Sequence, residues 1–148
     1  MAHTRVLLGD LQAAAKSVLT QLRPKKEGAT LITLSGELGA GKTTFVQTLA
    51  REMGVTETVQ SPTYVLMKKY KTAHPEFETL IHIDAYRLNG KKEFAALKPE
   101  SFLSDQKTLI CVEWPERVEG ALPQADRTLL FSSEAAGEGE RYIDGIYA

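Results

Sequence analysis

Between Gly36 and Thr44 the chain reads GELGAGKTT, poor material for a strand or a helix but well suited to gripping an anion. A phosphate cradle needs successive backbone N–H groups turned inward, in dihedrals that a Cβ would block, and glycine alone allows them freely. The spacing Gly36-x4-Gly41-Lys42-Thr43 is the P-loop pattern, with an apolar β-branched run before it and a helical pattern after it. Lys42 is placed to bridge β- and γ-phosphates, and the positive end of a helix starting at Thr43 draws the same charge. The Thr43 hydroxyl is the expected ligand of Mg²⁺. The nucleotide contacts expected from the loop are Gly36, Glu37, Leu38, Gly39, Ala40, Gly41, Lys42, Thr43 and Thr44.

Such a loop needs a carboxylate near the metal, typically at the end of an apolar strand. Two acids fit: Asp84 after LIHI and Glu113 after LICV. In an open α/β sheet, ligands sit beyond the carboxyl ends of the strands, where both acids would lie beside the loop. One would hold Mg²⁺ and the other would orient the attacking water, in either assignment. Catalytic roles are therefore expected of Lys42, Glu113 and Asp84, and metal roles of Thr43, Glu113 and Asp84. In QSPTY (60–64), Pro62 stiffens the chain and Thr63 could reach the metal or γ-phosphate, ordering its segment when triphosphate binds. Tyr86, Arg87 and Trp114 directly follow the two acids and should rim the same crevice. Trp114 is a nucleotide-side candidate, although packing at the rim is the commoner use of a tryptophan. His82 shares the parity of Asp84 and reads as a packed histidine rather than a catalytic one. The runs KKYK (68–71) and Lys91–Lys92 read as solvated faces.

These groups need a scaffold, and the rest of the chain describes one. DLQAAAKSVLTQL (10–22) predicts a helix, with Asp10 available as its cap and Leu11, Ala14, Ala15, Val18, Leu19 and Leu22 on one face. TLITL (30–34) predicts a strand buried on both sides, and TTFVQTLAREMG a helix closed by Gly54. Strands are expected at 63–70, 79–84 and 108–114, with short helical turns interrupted by Pro99 between the last two. RTLLFS and RYIDGIY predict a final hairpin joined by AAGEGE. The expected fold is α/β: a P-loop NTPase-type, mostly parallel sheet with helices on both faces, and an antiparallel edge or C-terminal hairpin. One domain over residues 1–148 is expected.

Composition narrows the class further. A net charge of −1 argues against binding nucleic acid by bulk electrostatics. The one cysteine, Cys111, cannot form an internal disulfide, as suits a reducing compartment. The N-terminal MAHTRVLLGDLQ lacks a signal-peptide pattern and no apolar run reaches membrane-span length, so a cytoplasmic protein away from the membrane is expected.

GELGAGKTTF, SPTYVL, HIDAYRL and VEWPE followed by Leu122–Pro123 occur in the order and spacing of the TsaE family, and the chain resembles it from about Gly28 to Pro123. The resemblance implies a small bacterial P-loop ATPase that binds ATP and Mg²⁺. It implies work beside a threonylcarbamoyl transferase and that enzyme's catalytically inactive paralogue, with any contact to tRNA indirect. It further implies that the product is N6-threonylcarbamoyladenosine at position 37 of tRNAs reading ANN codons, and that hydrolysis resets the complex rather than performing the transfer. By motif, the resemblance assigns phosphates to Leu38–Thr43, Mg²⁺ to Thr43 and Glu113, a strand-end acid role to Asp84 and a switch role to Thr63. It places Trp114 beside the metal acid. Where the family's first helix carries a threonine near the nucleotide, this chain has DLQAAAK, and ALKPES stands where a glycine is usual. A small-molecule kinase is the alternative, but it would need a lid with clamping arginines, and these are scattered here. A nucleotide switch without significant hydrolysis is another. A GTPase would carry an Asn-Lys-x-Asp motif, which the sequence lacks.

Overall fold

A computed structural model describes residues 3–7, 10–37, 41–57, 67–88, 90–132 and 140–145. The elements run β1 (His3–Leu7), α1 (Leu11–Gln21), β2 (Thr30–Gly36), α2 (Lys42–Glu52), β3 (Met67–Lys71) and β4 (Thr79–Asp84). Then come α3 (Lys91–Ala95), α4 (Glu100–Leu103), β5 (Thr108–Glu113), a 3-10 turn (Pro115–Val118), β6 (Arg127–Ser132) and β7 (Glu140–Asp144).

The strands form one seven-stranded sheet in the order β1-β7-β6-β2-β5-β4-β3. β6, β2, β5 and β4 at its centre are mutually parallel. Both edges are antiparallel: β7 and β1 on one side, β3 on the other. The parallel centre follows from composition, because strands covered on both faces must be apolar throughout, and every residue of β5 is buried. The expected mostly parallel sheet, antiparallel edge and C-terminal hairpin are all present; the hairpin's joining residues 133–139 lie outside the described ones.

Alternation along the strands sorts side chains into two cores. Ile32, Leu34, Leu80, Leu109 and Cys111 face α1 and α2, whose Ala15, Val18, Phe45, Val46 and Leu49 complete the first core. Leu31, Ile81, Ile83, Ile110 and Val112 face the other way, against Phe94 of α3, Phe102 of α4 and Val118. Helical segments thus cover both faces. The apolar face expected for α1 is buried, but Asp10 corrects one detail. It occupies the N-cap position without a side-chain hydrogen bond to the helix, because φ −103° and ψ 5° depart from the extended conformation a capping side chain uses.

Glycine is required where β2 ends. Gly36 has φ +140°, and a Cβ on it would stand 2.3 Å from the Phe131 carbonyl oxygen on neighbouring β6. Gly41, with φ 100°, starts α2 from the left-handed region. These two glycines let the chain leave the sheet and re-enter as a helix above the same strand end.

Candidate functional site

The parallel register brings three strand ends to one level: Leu34 of β2 and Asp84 of β4 both pair with Glu113 of β5. Glu113 has the parity of Leu109 and Cys111, and Asp84 that of Leu80 and His82, so both acids belong to the face covered by α2. α2 begins here, its second residue in contact with Glu113. The Thr43 hydroxyl donates to the Glu113 carboxylate and lies 3.0 Å from Oε1 and 2.9 Å from Oε2. Glu113 is only 3% exposed, and its Oε2 is 2.5 Å from His82 Nε2.

Lys42 is buried beside this pair. Its ammonium donates to the carbonyl oxygens of Gly36 at 2.6 Å and Glu37 at 3.0 Å, and lies 4.2 Å from the centre of the Trp114 ring. Burial lowers its pKa, while the fields of Glu113, Glu116, Asp84 and Glu37 oppose that shift. An arriving phosphate tail adds negative charge and strengthens the ammonium form. Asp84, half-buried, has its pKa raised by burial. The Tyr86 amide, donating to Oδ1 at 3.0 Å, pulls it down, and the nearby Glu113 pushes it up.

Trp114 takes a left-handed backbone, φ 61° and ψ 51°, directly after β5, and its N–H donates to the Leu34 carbonyl at 3.1 Å. That conformation costs a non-glycine residue about 1–2 kcal/mol. It carries the indole over Lys42 and to 5.0 Å from the Tyr86 ring, with the Arg117 guanidinium 5.3 Å beyond Tyr86. Of the three residues expected at the rim, Trp114 and Tyr86 meet each other and Trp114 meets the lysine of the loop, while Arg87 is exposed after Tyr86.

The structure brings together Gly36, Glu37, Lys42, Thr43, Glu113 and Trp114, and puts Asp84 on the adjoining strand end; Thr44 is exposed on α2. Leu38, Gly39, Ala40 and Thr63 lie outside the described residues. His82 is packed, as its parity suggests, but its bond to Glu113 was not anticipated. Glu116, accepting a hydrogen bond from the Ser35 hydroxyl at 3.2 Å, adds an acid to the rim that the spacing of motifs did not single out.

The donor set suits one kind of metal. Hydroxyl and carboxylate oxygens are hard ligands, and among the described residues no three His, Cys, Asp or Glu side chains form a metal cage. Mg²⁺ fits such a site, since it keeps several waters and takes one or two protein oxygens beside substrate phosphates.

Strand, glycine bend and helix, with an acid on the neighbouring parallel strand, define a P-loop NTPase-type α/β protein. The family model described as "Threonylcarbamoyl adenosine biosynthesis protein TsaE" matches residues 8–143, and the chain belongs to the TsaE family. A Bacillus subtilis (strain 168) protein named tRNA threonylcarbamoyladenosine biosynthesis protein TsaE is 35% identical over 113 residues, covering 76% of this chain and 66% of that one. A Treponema pallidum protein of the same name is 36% identical over 118 residues, covering 79% and 82%. The match thus spans just under two thirds of the Bacillus relative's length. The crystal structure of Bacillus subtilis YdiB superposes with a TM-score of 0.68 at 27% identity, covering 97% of this chain and 85% of that one. Among the described residues, no helix is long and apolar enough to cross a membrane.

Proposed function

We propose that the chain is a slow, Mg²⁺-dependent ATPase acting in the cytoplasm as the energising subunit for N6-threonylcarbamoyladenosine formation at position 37 of tRNAs reading ANN codons. Its partners in this reading are a threonylcarbamoyl transferase and that enzyme's inactive paralogue, and it touches tRNA only through them. Family membership supports the pathway. One observation supports the chemistry: the first α2 hydroxyl, Thr43, is bonded to both oxygens of Glu113 while Lys42 waits on the carbonyls of Gly36 and Glu37.

The chain's own groups divide the work. The amides around Gly41 and the start of α2 bind the β-phosphate, helped by the helix dipole. Lys42 leaves two carbonyls and the Trp114 ring for the phosphate oxygens, exchanging neutral partners for charged ones. Thr43 and Glu113 would hold the metal. Mg²⁺, when bound, would neutralise charge on the β- and γ-phosphate oxygens. In this reading Asp84, at the same level on the next strand, orients the attacking water.

Hydrolysis by the isolated protein should be slow, and should rise at least about tenfold when the transferase pair is added. Steady-state phosphate release with and without the pair measures this. A rate unchanged by the pair, or fast turnover that depends on a small acceptor, would refute the assignment, the latter in favour of a kinase.

A further inference from the structure

We propose that His82 is a positioning residue that holds the Glu113 carboxylate from behind, so that Glu113 keeps the rotamer that meets Thr43 and the metal. The inference rests on the metal role proposed for Glu113. His82 is completely buried on β4 and pairs with Cys111, two residues before the Asp84–Glu113 pair. Its Nε2 is 2.5 Å from Glu113 Oε2, the same oxygen that lies 2.9 Å from the Thr43 hydroxyl. The carboxylate is thereby held from two directions.

Among the described residues, His82 Nδ1 has no hydrogen-bond partner. A carboxylate oxygen accepts, so Nε2 is the donor in this contact. A buried polar atom without a partner is unfavourable. Packing alone gives no reason for it, since neighbouring Leu80, Ile81 and Ile83 fill the same strand with hydrocarbon. Among the described residues, the bond to Glu113 is what the imidazole contributes that leucine or phenylalanine would not. The imidazole thus adds a second hold on one oxygen of a carboxylate already aligned on the α2 start by Thr43. Partners that orient a metal-site ligand in this way typically change metal affinity by about 10- to 100-fold when removed.

The test measures Mn²⁺ and Mg²⁺ affinity of the ADP-bound protein by calorimetry, with thermal unfolding followed in parallel. His82→Phe keeps a ring and removes the donor. Metal affinity should fall about 10- to 100-fold, with metal-free ADP affinity unchanged within about twofold. His82→Gln, whose amide nitrogen reaches the Nε2 position, should recover most of the loss. His82→Asn reaches only as far as Nδ1 and should not. If His82→Phe does not fold, the contrast between Gln and Asn decides. Wild-type metal affinity in His82→Phe, or equal affinity in the Gln and Asn variants, overturns the positioning role. Absence of metal-linked ADP binding in the wild-type protein would instead sink the ATPase reading itself.

Discussion

Replacing Lys42 by alanine should weaken ATP binding by at least about 100-fold while leaving the protein folded. The ammonium is bonded to two loop carbonyls and stacked on Trp114, contacts that a phosphate replaces with stronger charge-assisted ones. Each hydrogen bond to a charged partner contributes about 1.5–3 kcal/mol, and two of them correspond to a factor of 100 or more. Stability should change little or improve, because burial already disfavours this charge and the carbonyls of Gly36 and Glu37 can turn to water. Calorimetric titration with ATP and Mg²⁺, alongside thermal unfolding, checks both parts. Near-normal affinity in Lys42→Ala would remove the lysine from the phosphate site.

Glu113→Gln should have the opposite signature. Nucleotide binding should survive within about tenfold, and hydrolysis should drop by about 100-fold or more. Glutamine preserves the shape of a side chain that is only 3% exposed. Its carbonyl oxygen can accept from His82 Nε2 and its amide can donate to the Thr43 hydroxyl, so the packing around α2 is kept. What it loses is the negative charge that holds a divalent cation, and it ties up the Thr43 lone pair that the cation would use. Single-turnover hydrolysis, compared with ADP affinity measured without metal, separates the two effects. Hydrolysis at the normal rate in Glu113→Gln would show that the acid of β5 has no part in the chemistry. In that case Asp84, on the next strand end, becomes the strand-end carboxylate left to serve the chemistry.

The site was legible in the sequence where its geometry is local. Gly36, Gly41, Lys42 and Thr43 lie within one bend, and their spacing reports directly on the backbone there. Asp84 and Glu113 were legible because each ends an apolar run, and the strands close on those residues, Thr79–Asp84 and Thr108–Glu113. Period two also put His82 on the face of Asp84. It could not show that His82 reaches Glu113, because that depends on the register of β4 against β5. The left-handed turn at Trp114 was hidden for a similar reason, as tryptophan is a poor marker of positive φ. β1 escaped notice altogether. His3–Leu7 alternates weakly, and its partner, Glu140–Asp144, lies at the far end of the chain. Asp10 shows the converse error: a good capping residue type whose backbone holds it away from the amides.

The most direct measurement is a crystal structure of the protein with a non-hydrolysable ATP analogue and Mg²⁺. The account predicts β- and γ-phosphate oxygens within about 3 Å of Lys42 Nζ, with that ammonium lifted from the Gly36 and Glu37 carbonyls. The metal should be held between the Thr43 hydroxyl and the phosphates, with Glu113 against it directly or through water. A nucleotide bound elsewhere, with Lys42 still on its two carbonyls and the bend after β2 empty, would contradict it.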